Sequence, residues 1–369
     1  MKLGFGLMRL PLIGGVSENI DIEQFKKQVD IFRAAGGTYF DTAYMYHNGK
    51  SEEAFREAVV KRFPRDSYTI TDKLPCHHLT CKDDCARIFN EQLERCGVEY
   101  FDYYWLHNLN RNTLPKALNA EAFAFIKEMK EAGKIKHLGF SFHDNAEMLE
   151  NILSEHPEFE YVQIQLNYLD WEDENVQSRK NYEVCVKYNK PVIVMEPVKG
   201  GSLANIMDDA GKLLKELDDT VSQASFAVRF AASLPNVYMV LSGMSNTQQV
   251  EDNVSYMNDA AFKPLNDKER STVLAAAEIL RAAVTIPCTK CRYCMEVCPI
   301  NMAIPNLFEV YNNYKKFNRI SASAYGAAVS DYAKPSECLK CGACEGACPQ
   351  QLEIRKWLEI IAEEVEAKQ

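Results

Sequence analysis

Residues 288–299, CTKCRYCMEVCP, set the organisation of the chain, because the same pattern returns 50 residues later as CLKCGACEGACP over 338–349. Each run spaces its cysteines as C-x2-C-x2-C-x3-C before a proline: Cys288, Cys291, Cys294 and Cys298, then Cys338, Cys341, Cys344 and Cys348. Three thiolates so closely spaced in one loop can cap three irons on one face of a cube, whereas the fourth lies too far round the turn. This is the run of bacterial proteins that hold two [4Fe–4S] clusters, where the fourth cysteine ligates the other cluster. We therefore expect Cys288, Cys291, Cys294 and Cys348 at one cluster, and Cys338, Cys341, Cys344 and Cys298 at the other. The rival is a pair of structural zinc sites, since C-x-x-C knuckles also bind zinc. Zinc seldom uses three successive cysteines at this spacing with C-P after the fourth, so the cluster reading stands.

Outward from this module, the rest of the 369 residues is long enough for one large domain. A (β/α)8 barrel needs about 250 residues. Hydrophobic content of 47% can fill its core. The net charge of −10, with no basic tract, argues against a nucleic-acid partner. No apolar run approaches the roughly 20 residues that would cross a membrane, and no membrane role is expected. The opening MKLGFGLMRLPL lacks the apolar core and cleavage site of a signal peptide. Thirteen cysteines without an export signal point to thiolate chemistry in a reducing compartment, and a cytoplasmic location is expected.

Over the first 280 residues, eight apolar or aromatic runs alternate with amphipathic helical patterns. The strand candidates are Leu3–Leu7, Tyr39–Thr42, Tyr68–Lys73, Phe101–His107, His137–Ser141, Tyr161–Asn167, Val192–Glu196 and Tyr238–Ser242. Helices are expected over segments such as Ile22–Ala35, Glu52–Arg62, Lys82–Arg95 and Ala120–Ala132. Several end in glycine, as at Gly36-Gly37, Gly97 and Gly133, where a helix terminus wants positive φ. The strands are nearly continuous apolar runs, as expected when both faces are buried. The fold class is thus α/β: a (β/α)8 TIM barrel over 1–284, then a small, mainly α-helical, ferredoxin-like [4Fe–4S] domain over 285–369. An open doubly wound sheet is the alternative, but no G-x-G-x-x-G follows a strand.

Polar residues gather at the C-terminal ends of consecutive strands, where a barrel builds its site. Asp41 closes the second, Lys73 the third, His107 the fourth and Ser141 the fifth, with Tyr46 just after Asp41 in FDTAYMYHNGKSE. One such residue is more often a cap or a solvated charge than a catalyst. Four at the ends of successive strands are hard to explain that way. Residues 1–280 resemble the aldo-keto reductases: Asp41 and Tyr46 in DTAYMY, Lys73 in TITDKLP and His107 in YYWLHN match that family's catalytic four. The resemblance implies hydride transfer between NAD(P) and a small-molecule carbonyl or alcohol. Tyr46 would be the general acid, with Lys73 lowering its pKa from the usual value near 10. Asp41 would hold Lys73, and His107 would orient the substrate or assist the proton.

The same resemblance assigns Ser141 in GFSFHD and Gln163 in YVQIQLNYL to the cofactor's carboxamide, although Phe142 replaces the usual asparagine. Met195 stands where an aromatic usually stacks on the nicotinamide. Gly200 and Gly201 would let backbone amides approach a diphosphate. Gly243, Ser245, Gln249 and Asn253, in LSGMSNTQQVEDN, fall on positions for the adenosine half. No arginine or lysine lies close to Ser245 in sequence, which weakens an NADP preference.

In CHHLTCKDDC, residues Cys76, His77, His78, Cys81 and Cys85 invite a metal reading. Their irregular spacing, and the fit of Cys85 to the buried face of the following helix, favour an ordinary loop beside the site. His47 and His143 read as contacts in mouth loops. Helices are also expected over Asp267–Ala283, Asn306–Asn318, Ala322–Tyr332 and the C-terminal segment containing Leu352, Ile354, Trp357, Leu358, Ile361 and Val365.

Clusters pass single electrons and nicotinamide passes a hydride, so a converter such as FMN enters as an alternative cofactor. Three readings follow: an oxidoreductase whose clusters exchange electrons with a ferredoxin-like partner; a carbonyl reductase with structural or regulatory clusters; or an electron-carrier or redox-sensing subunit.

Overall fold

The computed structural model describes residues 1–174, 176–206, 208–282, 285–286, 288, 290, 292–348 and 351–369. Its strands are β1 Leu3–Gly6, β2 Tyr39–Asp41, β3 Thr69–Pro75, β4 Phe101–Leu109, β5 Ile135–Phe142, β6 Tyr161–Gln165, β7 Val192–Met195 and β8 Val237–Gly243. They pair in chain order as a closed parallel barrel. Closure is made by β1 on β8, with Leu3 opposite Val240 and Gly6 opposite Gly243. All eight expected strands are present, each within a few residues of its expected bounds.

The helices follow the sequence pattern closely: Ile22–Ala34, Lys82–Cys96 and Ala122–Glu131 lie over the expected segments. Gly36, Gly97 and Gly133 hold φ of 90°, 70° and 73° at their ends. The helix expected over 52–62 starts earlier, at Lys50, and changes to a π turn at Arg56–Val60. Aromatic side chains fill the barrel: Tyr39, Tyr103 and Trp105 pack with Ile193, Met239 and Leu241. Gly139 of β5 is required there, since a Cβ would lie 2.3 Å from the Trp105 ring.

The chain groups into two compact units. One is Met1–Gly201 with Thr220–Val273; the other is Ser202–Asp219 with Leu274–Gln369. The division expected at 284/285 meets Val284, which lies outside the described residues. The grouping differs from that division in giving the second unit an insert after β7, whose Leu203, Ala210 and Leu214 are fully buried. It also breaks inside the helix Asp267–Ala282.

The second unit is helical, with Ile304–Phe317, Ala322–Val329 and Ile354–Glu364 as its longer helices after the first cysteine run. Ile286, Leu307, Phe308, Tyr311, Leu358 and Ile361 form its core, together with Cys294 and Cys344. Among the described residues no helix is long and apolar enough to cross a membrane.

Candidate active site and cluster-binding loops

Asp41 is the last residue of β2, and Lys73 lies on β3 opposite Trp105 of β4. The Lys73 Nζ donates to Asp41 Oδ1 at 2.5 Å and to the Thr42 carbonyl at 2.6 Å. It also reaches the Tyr46 hydroxyl at 3.5 Å and stands 4.9 Å from the centre of that ring. The His107 ring meets Tyr46 edge-on, 6.1 Å between centroids. Asp41 and Lys73 are 2% and 1% exposed, whereas Tyr46 and His107 remain partly open. The four expected catalytic residues thus converge at one end of the barrel.

Burial alone would strip charge from both Lys73 and Asp41. Burial does oppose the Lys73 ammonium, but Asp41, Tyr46 and Asp72 outweigh it, and the lysine pKa is raised. Burial likewise raises the Asp41 pKa, against the pull of Lys73. The expectation for Tyr46 is corrected: its pKa is raised, because burial exceeds the pull of Lys73 and Asp41 adds to the rise. Tyr46 therefore keeps its proton, as a general acid must. Burial, assisted by Lys73 and two further histidines, holds His107 well below its ordinary value, so its imidazole is neutral.

Ser141 and Gln163 are opposite each other on β5 and β6, 1% and 3% exposed. Ser141 Oγ accepts from the Asn108 N–H at 2.7 Å. Gln163 Oε1 is buried without a hydrogen-bond partner, an acceptor that a bound amide would satisfy. Phe142 is buried, its ring centroid 6.3 Å from that of Phe140. Met195 ends β7 partly exposed. Gly200 and Gly201 take φ of 62° and 94°, the backbone such a turn needs.

Ser245 N–H donates to Gln249 Oε1 at 2.7 Å, and Ser245 Oγ donates to the Arg9 carbonyl at 2.9 Å. Asn253 Nδ2 donates to Ser242 Oγ at 2.7 Å and its Oδ1 accepts from Tyr256. It braces β8 against the next helix.

Arg9 was not singled out by sequence. It stands beside these loops: a Cβ on Gly200 would lie 3.1 Å from its guanidinium, and one on Gly243 3.1 Å from its stem. Its carboxylate neighbour is Glu196, at 3.5 Å. Arg9 is 236 positions from Ser245, and only pairing of β1 with β8 joins them. The signal available in sequence was a cation just after the first strand of a closed barrel.

The remaining features of the mouth are structural. His47 accepts from the Leu10 N–H at Nε2 (3.2 Å) and bonds the Ser17 carbonyl at Nδ1 (2.9 Å), tying down the loop after β1. Cys76 and Cys85 are buried thiols donating to the carbonyls of Leu74 and Ala120, each at 3.5 Å. Cys81 is exposed at the start of the helix Lys82–Cys96. His143 is exposed.

The cysteine runs repeat in three dimensions. Lys290 and Lys340 take φ of 58° and 55°, Arg292 and Gly342 68° and 78°, Asn301 and Gln351 52° and 50°. In each run an N–H points at the first thiol: Lys290 to Cys288 Sγ and Lys340 to Cys338 Sγ, both 3.4 Å. Each lysine then pairs with a glutamate of the following helix, Glu309 or Glu359, at 2.7 Å. Cys298, Cys338, Cys341 and Cys344 line one small pocket together with Arg355 and Leu358. These are the four thiols expected at one cluster, drawn from both runs. Cys288, Cys294 and Cys348 belong to the other expected set, whose Cys291 lies outside the described residues.

Residues 2–278 match the aldo/keto reductase family, and residues 287–352 match the 4Fe-4S dicluster domain. An uncharacterized oxidoreductase of Schizosaccharomyces pombe is 24% identical over 285 residues, 73% of this chain and 87% of that protein. The NADH-specific methylglyoxal reductase of Escherichia coli is 23% identical over 300 residues, covering 70% and 90%. An aldo-keto reductase of Klebsiella pneumoniae, solved in complex with NADPH, shares the fold with a TM-score of 0.59 at 19% identity, over 74% of this chain and 89% of that one. The chain belongs to the aldo/keto reductase family, as an oxidoreductase that carries a C-terminal 4Fe-4S dicluster domain.

Proposed function

We propose that the barrel interconverts a small carbonyl compound and its alcohol with a nicotinamide cofactor, and that the C-terminal domain exchanges single electrons with a ferredoxin-like partner. The observation that carries the first part is the Tyr46 hydroxyl held 3.5 Å from the Lys73 ammonium, with His107 against the same ring. In reduction, Tyr46 gives its proton to the carbonyl oxygen as that oxygen gains negative charge. Lys73 stabilises the phenolate left behind, and Asp41 keeps Lys73 from swinging away. Neutral His107 can donate one N–H to the same oxygen and fix its direction. Oxidation of the alcohol runs the proton back to Tyr46.

A nicotinamide, when bound, supplies or accepts the hydride at the carbonyl carbon. Gln163 and Ser141 would hold its carboxamide, with the unpartnered Gln163 Oε1 as the acceptor. The turn at Gly200 and Gly201 would take the diphosphate and the segment with Gly243 and Ser245 the adenosine half, and Arg9 is the cation beside them. A nicotinamide is favoured over a flavin, because one relative is an NADH-specific methylglyoxal reductase and a protein of the same fold was solved in complex with NADPH.

The clusters, when bound, would pass electrons singly. Their ligands would be Cys288, Cys291, Cys294 and Cys348 for one, and Cys338, Cys341, Cys344 and Cys298 for the other. Cytoplasmic, oxygen-poor surroundings belong to the same proposal, since such thiolates and clusters need reducing conditions. A carbonyl reductase whose clusters serve only the fold is the second reading, favoured by the close packing of Cys294 and Cys344 into the helical core. Anaerobic protein reduced with NADH or NADPH decides between them. Appearance of reduced-cluster EPR signals at a rate matched by cofactor oxidation supports electron exchange. Clusters that remain oxidised while carbonyl turnover proceeds support the second reading.

A further inference from the structure

Behind Lys73, on the outer face of β3, lies a polar cluster that the carbonyl chemistry does not use. Asp72 and Glu52 are both fully buried. Asp72 sits opposite Tyr104 of β4. Glu52 comes from the helix Lys50–Phe55, and Gln92 and Cys96 from the helix Lys82–Cys96. The Asp72 and Glu52 carboxyl groups are within hydrogen-bond reach of each other. Asp72 Oδ1 accepts from the Lys73 backbone N–H at 2.8 Å and from Gln92 Nε2 at 2.6 Å. Its Oδ2 receives only the weak Cys96 thiol, at 3.6 Å.

On the other side, Arg95 reaches Glu52 Oε2 at 3.2 Å, while Glu52 Oε1 is buried with no partner. Two facing carboxylates would repel, leaving Glu52 Oε1 without a donor and Asp72 Oδ2 with only a weak thiol. A single proton between them removes both penalties. Gln92 closes the network: its Nε2 also donates to the Lys73 carbonyl at 3.1 Å, and its Oε1 accepts from Tyr104 at 2.5 Å. Asp72 and Gln92 thus grip the backbone of Lys73 at both its N–H and its C=O.

We propose that Glu52 and Asp72 share one proton as a carboxyl–carboxylate pair, and that this pair positions the catalytic Lys73 by fixing its backbone. The Lys73 part rests on the proposed carbonyl chemistry; the shared proton does not. Burial and the Glu52 charge push Asp72 well above the usual carboxylate range, in keeping with a retained proton. The titratable groups facing the pair are Arg95, Lys73, Cys96 and Tyr104, of which Arg95 and Lys73 carry the positive charge.

Infrared spectroscopy of the full-length protein at neutral pH tests the shared proton without reference to turnover. The wild type should show the carbonyl stretch of a buried carboxylic acid. Glu52→Gln and Asp72→Asn should each abolish it, since each leaves one carboxylate with an amide donor. No such band in the wild type, or a band that survives either substitution, overturns the shared proton. Positioning is read separately with NADH or NADPH and a small aldehyde. Glu52→Ala, which strands the Asp72 carboxylate, should lower kcat about tenfold or more with KM changed by less than about twofold, while Glu52→Gln stays within about threefold of wild type. Equal losses in Glu52→Ala and Glu52→Gln, or a change confined to KM, overturn the positioning role. If Glu52→Ala does not fold, the infrared result and the kcat of Glu52→Gln and Asp72→Asn carry the test. If the wild type turns over no carbonyl while both infrared results hold, the proposed reaction fails and the shared proton stands.

Discussion

The Lys73 ammonium and the Asp41 carboxylate meet at 2.5 Å inside the barrel, with side chains 1% and 3% exposed. A buried pair of this kind is costly to break from one side, about 3–5 kcal/mol, because the remaining charge is left uncompensated. It also keeps the net field on Tyr46 small, which is why burial decides the direction of the tyrosine pKa.

Replacing Tyr46 by Phe should therefore remove the proton donor and little else. Carbonyl reduction is expected to fall by about 10²–10⁴-fold. Cluster absorbance should be unchanged. Retention of full activity in this variant would remove Tyr46 from the proposed mechanism.

The pH dependence follows from the same groups. Tyr46 is raised, so the alkaline limb of kcat/KM should lie above the ordinary tyrosine value of about 10. His107 is lowered, so its neutral form is the one that folds. The unfolded chain binds this proton first, and the His107 contribution to stability is lost as pH falls below about 6.5. Denaturant titrations of Tyr46-intact protein with His107→Gln should show a shallower loss of stability between neutral and mildly acidic pH than the wild type.

The crossed ligand scheme has a sharp consequence. Cys298 lies in the first run but lines the cavity with Cys338, Cys341 and Cys344. Cys298→Ser and Cys341→Ser should deplete the same EPR signal and about half of the iron, and Cys348→Ser the other signal. If Cys298→Ser instead depletes the signal lost in Cys294→Ser, each run binds its own cluster.

Arg9→Gln tests the cation beside the cofactor loops. A charge-assisted contact to phosphate contributes about 1.5–3 kcal/mol, so KM for NADH or NADPH should rise by about tenfold or more with kcat little changed. An unchanged KM for both would leave Arg9 with only its Glu196 contact.

Gly139→Ala should cost stability without touching the site. The new Cβ would lie 2.3 Å from Trp105 and 2.6 Å from the Tyr161 carbonyl. Overpacking of this kind costs about 1–3 kcal/mol, and a lowered thermal midpoint with intact cluster spectra is the expected result.

The sequence by itself determined the barrel, because alternating apolar strands and amphipathic helices repeat in order and each strand pairs with its neighbour. It also brought Asp41, Tyr46, Lys73 and His107 together, since successive parallel strands set their C-terminal ends side by side. The repeated cysteine runs were legible for a similar reason: their geometry is local, set by left-handed residues within a few positions. What only the tertiary structure decided joins distant segments or balances opposing energies. Arg9 reaches Ser245 because the barrel closes, and Glu52 meets Asp72 because a helix packs on a strand. The protonation of Tyr46 turned on burial against a lysine already paired to Asp41. The Asn253 amide bonds Ser242 and Tyr256, contacts made by packing β8 against a helix. Residue type and spacing fix which groups are near in the chain; desolvation and partner competition depend on everything packed around them.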